Sequence, residues 1–363
     1  MEIGIPLERQ DSEYRVGVTP KAVGLLTQAG HRCYIEQGAG RAAGFEDVEY
    51  ERAGGRIVYG AQEVYQRADL VLKIGSLTSS EIGLVREEQT ICALWHLAAR
   101  PRELVAALLE KRITAIAYEM IQTDDGDLPV LRPLSEIAGR MAPQIAARWL
   151  QNDGGGRGVL ISGLAGHPPV NVCILGAGVV GISAARAFLG LGARVTVLDQ
   201  NLTRLRYVDE RFQGRVSTMV SYDFNIAGAV KRAYVLVGAV LVPGERAPVL
   251  VTREMVRSMR PRSVILDISI DQGGCVETSR PMTHRDPVFI EEGVIHYCVP
   301  NMPGIVARTA THAYLNAAWP YIQRLARMGT EAAIEADPAL GRGVALHNGQ
   351  IYSGPLAALV EGA

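Results

Sequence analysis

The chain lacks the features that would place it in several large protein classes. Its five cysteines, Cys33, Cys92, Cys173, Cys275 and Cys298, are an odd number with no CxxC pair among them. That argues against a disulfide framework and against a zinc site, and it fits a reducing compartment. Four of the five stand inside apolar runs, where a free thiol behaves as a small buried hydrophobe. No charge of one sign dominates: 37 Lys and Arg against 38 Asp and Glu leave a formal charge of −1. Neither nucleic acid nor an anionic membrane surface is therefore an expected partner. The opening MEIGIPLERQDSEYR has no basic stretch followed by an apolar one, so it does not read as a signal peptide. Residues 159 to 185 carry no Asp, Glu, Lys or Arg, but His167, Pro168, Pro169, Asn171 and several glycines make the stretch a poor membrane span. Internal repeats and low-complexity tracts are missing as well. A soluble, cytoplasmic protein is the expectation.

What the chain does have is glycine, 39 in 363 residues, or roughly 11% against about 7% in an average protein. Without a collagen period, that excess implies many tight turns and loops that approach a ligand closely. Hydrophobic residues at 48% can fill at least one large core, and the length suggests two domains.

Short apolar runs alternate with helical patterns almost from the start. Strands are predicted at 2 to 6, 32 to 37, 56 to 59, 69 to 75, 90 to 96 and 114 to 119. Thr19 and Pro20 supply an N-cap and a first-turn proline for a helix that Gly30 ends. Another helix is predicted over 101 to 112. From Ser135, a plausible N-cap, a long helix runs until Gly154, Gly155 and Gly156 stop it. A second series of strands follows at 172 to 176, 194 to 199, 234 to 240, 263 to 270 and 294 to 300. A last long helix spans about Thr309 to Met328 with Pro320 inside it, and the remaining residues read as a short helical tail. Strands separated by helices imply βαβ units and mostly parallel sheets.

Gly176-Ala-Gly178-Val-Val-Gly181 is a GxGxxG run that follows an apolar strand and opens a helical stretch. Alone the pattern is weak, and an ordinary βα turn is the bland alternative. Here the next strand, RVTVLD, ends in Asp199, which completes a dinucleotide fingerprint. Gly176 would permit the tight turn, Gly178 would let a pyrophosphate reach backbone N–H groups, and Gly181 would let helix and strand pack closely. The helix N-terminus favours phosphates. Asp199 would accept hydrogen bonds from the adenosine ribose and repel a 2′-phosphate, so NAD is expected rather than NADP. Further on, LDISIDQGG places Asp271 before two glycines at a strand end, where ligands of open α/β sheets sit. A turn-capping loop Asp is the competing reading there.

The N-terminal part has its own cluster. Arg15 lies after the first strand, while Lys73 and His96 end two others. Arg and Lys together suit a carboxylate, and His suits proton transfer near neutral pH. Each alone is more commonly a solvated strand end; their common position at strand ends is what suggests one site.

Several segments in order resemble the alanine dehydrogenases, a family that shares its fold with the NAD-binding subunit of proton-translocating transhydrogenase. They are GIPLERQDSEYRVGVTP, DLVLKI, LWHLA, PLSEIAGRMAPQ, GGRGVLISG, LGAGVVG with VTVLD, GAVLVPG, DISIDQGG and CVPNMPG, and the likeness weakens only after about residue 330. The resemblance implies an α/β fold of two Rossmann-like domains with mostly parallel sheets, linked by long helices. A substrate domain would comprise residues 1–130 and 305–363, with an NAD-binding domain of residues 131–304 inserted. The implied reaction is the reversible, NAD-dependent conversion of L-alanine to pyruvate and ammonium. By the same likeness Arg15 and Lys73 would hold the substrate, and His96 and Asp271 would be the acid–base pair. Asp199 and Arg204 would lie near the ribose and Ser221 near the adenine. Val179 and Val180 would sit in the glycine turn, with Val240 and Leu241 beside the cofactor. Ile268, Arg280, Val299, Asn301 and Met302 would line the nicotinamide pocket, and Ser135 would cap the linking helix against the cofactor. A homo-oligomer, usually a hexamer, goes with the family.

Departures from the family pattern occur at Ser12 (commonly Asn), Gly17 (commonly Ala), Leu134 (commonly Met) and Tyr234 (commonly Asp). Some members bind a metal through acidic and His residues in the late long helix. QRLARMG offers neither, so no metal is expected. Two alternatives stay open: a non-catalytic NAD(H)-binding module of the transhydrogenase type, and a dehydrogenase acting on a larger amino acid.

Overall fold

The computed structural model describes residues 1–97, 100–242 and 246–352. In chain order the elements are β1 (Glu2–Ile5), α1 (Pro20–Gln28), β2 (Arg32–Glu36), α2 (Asp47–Arg52), β3 (Arg56–Val58), α3 (Ala61–Arg67), β4 (Leu70–Gly75), α4 (Ser79–Ile82), β5 (Thr90–Leu94), α5 (Arg102–Glu110), β6 (Thr114–Ala117) and α6 (Arg132–Leu150). They continue with β7 (Asn171–Leu175), α7 (Val179–Gly190), β8 (Arg194–Asp199), α8 (Leu202–Phe212), β9 (Ser217–Val220), α9 (Asp223–Arg232), β10 (Val235–Gly238), α10 (Arg253–Arg257), β11 (Val264–Asp267), β12 (Val288–Glu291) and β13 (Val294–Tyr297). The chain ends with α11 (Ala307–Met328), α12 (Thr330–Ala336), α13 (Pro338–Arg342), β14 (Val344–His347) and β15 (Gln350–Ile351). Two compact units result, Met1–Leu134 with Pro303–Ala363, and Ser135–Met302.

Each unit is built on one sheet, and the two sheets obey one rule. The first has the order β15-β14-β6-β5-β4-β1-β2-β3 and the second β12-β13-β11-β10-β7-β8-β9. In each, the chain winds outward from a central strand, first to one side and then to the other. The core strands of both pair in parallel, from β1 with β2 and β4 to β10 with β7 and β11. Every residue of β4, β5 and β6 is buried, as are all of β10 and β11. Helices over both faces of a parallel sheet explain these unbroken apolar runs. The α/β class with two Rossmann-like units is thus what the chain adopts. No helix among the described residues is long and apolar enough to cross a membrane.

Local chemistry sets most element ends. Thr19 Oγ1 accepts from the Ala22 N–H at 3.4 Å, with Pro20 in the first position of α1. Asn201 caps α8 through the N–H groups of Thr203 and Arg204. Tyr234, in place of the expected Asp, lies under the Arg260 guanidinium at 4.9 Å, away from the strand-end loops.

Three expectations need correction. Ser135 does not cap α6, because the helix starts at Arg132. Pro133 falls in its first turn, where the missing N–H has no helical partner to lose. The C-terminal part is not a helical tail: after α12 and α13 it returns as β14 and β15, antiparallel on the edge of the first sheet. Asn348 and Gly349, at φ 49° and 74°, make the two-residue hairpin turn between them, a signal the sequence contained. Residues 353–363 of that tail lie outside the described residues. The run 263 to 270 is a strand only to Asp267, whose carboxylate takes the Ser269 N–H at 3.2 Å and turns the chain into a 3₁₀ turn over Ile268–Gln272. Strands β9 and β12, short and half-exposed, were not expected.

Gly139 places α6 directly on α7: a Cβ there would collide with the Val180 carbonyl oxygen and stand 2.7 Å from Ser183 Cβ. Alanine is the better helix former by about 1 kcal/mol, but an added methyl against backbone costs about 1–3 kcal/mol. Gly139→Ala is therefore expected to lower stability in chemical denaturation. A gain in stability would show that α7 backs away freely.

Candidate functional site

In an open parallel sheet, the loops following two neighbouring strands diverge where the winding reverses, and a ligand cleft opens there. The reversal falls between β1 and β4 in the first unit and between β7 and β10 in the second.

In the first unit Arg15, in the loop after β1, is held by Glu13 through two bonds, Nε to Oε1 at 2.6 Å and Nη2 to Oε2 at 2.5 Å. Lys73, within β4, is fully buried, with its Nζ 2.8 Å from Glu81 Oε1 and 3.1 Å from Glu8 Oε2. Burial alone would lower both cations' pKa values, but the neighbouring acids outweigh it and raise them. Glu81 also takes the Tyr65 hydroxyl at 2.9 Å and both the N–H and Oγ1–H of Thr78. Burial pushes Glu81 up, but Lys73 and these donors prevail and hold it below the usual carboxylate range. Glu8 differs: burial wins over Lys73 and raises its pKa, and the nearby Glu13 adds to the rise. Glu8 accepts the N–H groups of Ile74 at 2.6 Å and Gly75 at 3.3 Å, tying the β1 loop to the end of β4. Gly17 lets this loop lie on β4, since a Cβ would run into the Leu72 carbonyl.

His96 stands apart from this network, two residues past the end of β5. Its backbone has φ 45°, a left-handed conformation unusual for a residue with a Cβ. Glu119 holds it there, accepting the Trp95 N–H at 3.1 Å and the His96 N–H at 2.6 Å. The imidazole Nδ1 lies 4.0 Å from the same carboxylate and the side chain is 42% exposed.

In the second unit the glycine turn joins β7 to α7. Gly176 has φ 104°, and a Cβ on Gly181 would strike the Gly176 carbonyl, so helix and strand touch through backbone. A Cβ on Gly178 would meet nothing within 4 Å, which leaves open space over the helix start at Val179 and Val180. Asp199 ends β8, buried, with Oδ2 accepting the Ala177 N–H at 2.7 Å and Oδ1 the Asn201 N–H at 2.8 Å. Arg204 lies 4.0 Å from it, and the Ser221 N–H donates to its carbonyl. After β10, Val240 donates to Ser269 Oγ at 2.9 Å and Leu241 is exposed. Asp271 accepts the N–H of Asn301, which has φ 54°, at 3.2 Å. Asp267 locks the Asp271 loop from below by accepting the N–H groups of Ser269, Cys275 and Val276. Val299 and Met302 are buried, Ile268 is in the 3₁₀ turn, and Arg280 covers the Phe289 ring at 4.3 Å. Ser135 lies in the opening turns of α6. Among the described residues no group of His, Cys, Asp and Glu is placed to hold a metal.

The structure thus brings together Arg15 and Lys73, and separately Asp199, Arg204 and Ser221 with the glycine turn. The acids Glu8, Glu13, Glu81 and Glu119 were not singled out from the sequence. Only Glu81 had a local signal, as the last residue of a Thr-Ser-Ser-Glu capping box.

Comparison with known proteins gives consistent matches along the chain. Residues 4–138 match the family description "Alanine dehydrogenase/PNT, N-terminal domain", and residues 142–354 the corresponding C-terminal domain. An alanine dehydrogenase of Methanococcus maripaludis is 47% identical over 97% of this chain and 94% of its own length. Among solved structures, an L-alanine dehydrogenase superposes with a TM-score of 0.95 at 43% identity, covering 100% of this chain and 99% of the other. A transhydrogenase from Sinorhizobium meliloti, at 23% identity and a TM-score of 0.84 over 97% of this chain and 100% of its own, shares the fold.

Glu81→Gln removes one side of a buried ion pair and is expected to cost about 3–5 kcal/mol at neutral pH. Because the pairing holds the carboxyl's pKa down, its stabilisation is present above the ordinary carboxyl pKa. It is lost as pH falls through the depressed value. The difference between wild type and variant, measured by urea unfolding, should therefore shrink toward acid. A difference independent of pH would assign the stabilisation to packing.

Proposed function

The chain belongs to the alanine dehydrogenase/PNT family, and from that premise we propose that it catalyses the reversible, NAD-dependent oxidative deamination of L-alanine to pyruvate and ammonium. The observation that carries this reading is the pair of buried cations, Arg15 and Lys73, at the winding reversal of an apolar sheet. Buried guanidinium and ammonium groups at such a place suit a small carboxylate and its carbonyl oxygen.

The second unit fits a dinucleotide. Open space at Gly178, the backbone contact at Gly181 and the acid at the end of β8 are the features a pyrophosphate and a ribose require. Ala177 and Asn201 use one site on each Asp199 oxygen, and a carboxylate has further acceptor sites for ribose hydroxyls. Arg204 and Ser221 would complete the adenosine end, with Val240, Leu241, Ile268, Arg280, Val299, Asn301, Met302 and Ser135 toward the nicotinamide. When bound, NAD supplies the hydride acceptor.

The chain's own groups would do the rest. Lys73 has two of its three N–H bonds on Glu81 and Glu8, which leaves one direction for a substrate oxygen. Arg15, oriented by Glu13, would hold the carboxylate. As ammonia adds to the carbonyl carbon, one proton must be accepted from nitrogen and one given to oxygen, and a second proton must reach that oxygen before it leaves as water and the iminium forms. The His96 imidazole and the Asp271 carboxylate would carry them. A cytoplasmic homohexamer is proposed on the family resemblance.

The test is NADH oxidation by purified protein. Turnover should require pyruvate and ammonium together, and silence with pyruvate, glyoxylate and larger 2-oxo acids despite NADH binding would sink the proposal in favour of a binding module. In the same assay His96→Asn, which tolerates the left-handed backbone, should lose about 10²- to 10⁴-fold in kcat while keeping NADH affinity. Full activity would remove His96 from the chemistry.

Asp199→Ala should weaken NADH binding by about 1.5–3 kcal/mol and narrow the preference over NADPH. An unchanged ratio of the two affinities would count against Asp199 as the ribose acid.

A further inference from the structure

The buried charges of the first unit do not balance. Around the β1/β4 reversal stand two cations, Arg15 and Lys73, and three carboxyl groups, Glu8, Glu13 and Glu81, none more than 8% exposed. The acids are not equally served. Glu13 has the Arg15 guanidinium on both oxygens and the Arg15 N–H at 3.1 Å. Glu81 has the closer Lys73 contact, the Tyr65 hydroxyl and two donors from Thr78. Glu8 has the longer Lys73 contact, 3.1 Å, which it shares with Glu81, and two backbone N–H groups.

The ionisable groups that face Glu8 come from every element around it. Lys73 approaches from β4, Glu13 and Arg15 from its own loop, and Glu81 from α4 across the shared ammonium, while Arg9, next to Glu8 in the chain and within electrostatic reach of Glu81, is paired with the buried Glu36 of β2. Tyr65 of α3 and Tyr314 of α11 lie within electrostatic reach. Burial pushes both phenols up, so they remain neutral and cannot offset a charge. A carboxylate arriving on Arg15 and Lys73 would be the fourth negative charge against two positive ones. At low local dielectric, such an excess is relieved by protonation of the least compensated acid.

We propose that Glu8 takes one proton from solvent when a 2-oxo acid carboxylate docks on Arg15 and Lys73, and returns it when that carboxylate leaves. Substrate binding is then proton-coupled: an O–H bond forms on the Glu8 carboxyl, and the cluster's net charge is the same before and after. Glu8 is a positioning residue in this scheme, acting through the Lys73 ammonium. The inference rests on the oxo-acid reading of the site, and its signature is separate from turnover. Below the Glu8 pKa of the free protein the group is already protonated and no uptake occurs. Above its pKa in the complex it stays ionised in both states. Between the two, affinity falls by up to about tenfold per pH unit.

The experiment is calorimetric titration of pyruvate into the NADH-loaded protein without ammonium, in buffers of different ionisation enthalpy and over a range of pH. Uptake should rise to as much as one proton per pyruvate in a window above the ordinary carboxyl range. It should vanish in Glu8→Gln, whose pyruvate affinity should also lose its pH dependence across that window. Pyruvate binding without proton uptake at any pH, or uptake that persists in Glu8→Gln, overturns the inference while leaving the dehydrogenase reading intact. Absence of pyruvate binding overturns both. Should Glu8→Gln fail to fold, infrared difference spectra of the wild-type protein decide. A protonated-carboxyl C=O band that grows on pyruvate addition supports the proposal, and its absence refutes it.

Discussion

Winding outward in both directions from a central strand is the constraint from which both halves of the structure follow. A right-handed crossover places its helix on one face of a parallel sheet if the chain moves one way and on the other face if it moves back. Two neighbouring strands, β1 with β4 and β7 with β10, consequently send their following loops apart. Backbone N–H groups, a helix start and short polar loops gather at those points. Away from those points the buried faces of the sheets are mostly apolar.

The two reversals are equipped differently. The one in the second unit is made almost wholly of backbone, with glycines that admit close approach and a single acid, Asp199, that bonds the turn and the next helix start together. Such a surface suits a ligand that brings its own phosphates to a helix terminus. The reversal in the first unit is made of buried ionic side chains. A lysine with no exposure persists there because two carboxylates face it, and each carboxylate has further donors. Removing charges from water is costly, and such groups are retained where a charged ligand must be recognised or a proton held. The surplus of acid over base in this cluster would make the site responsive to an incoming anion.

Most elements were legible in the sequence because each is a local matter. Alternation of apolar runs with helical spacing located the core strands, and Thr19-Pro20 marked a helix start. The strands that were missed are short edge or near-edge strands: partial exposure blurs the apolar pattern of β9, β12 and β15, and β14, though buried throughout, is only four residues long. The misplaced cap at Ser135 has a similar origin: a serine before a helical pattern is a good signal, but Pro133 starts the helix one turn earlier. Of the candidate site, the glycine turn, Asp199, Arg15, Lys73, His96 and Asp271 could be named because their residue types are informative at strand ends.

By itself, then, the sequence determined the α/β class, the order of core elements and the cations and acids that strand ends present. These depend on period, turn chemistry and residue type over a few neighbours. Only the tertiary structure decided that Glu8, 65 positions from Lys73, and Glu81 share one ammonium. It also decided that Glu119 pins His96 in a left-handed backbone and that Asp267 holds the loop of Asp271. Carboxylates are common on any surface, and nothing local separates a solvated one from one that the fold will carry into the interior. Which acid meets which base is settled when strands distant in sequence pair side by side.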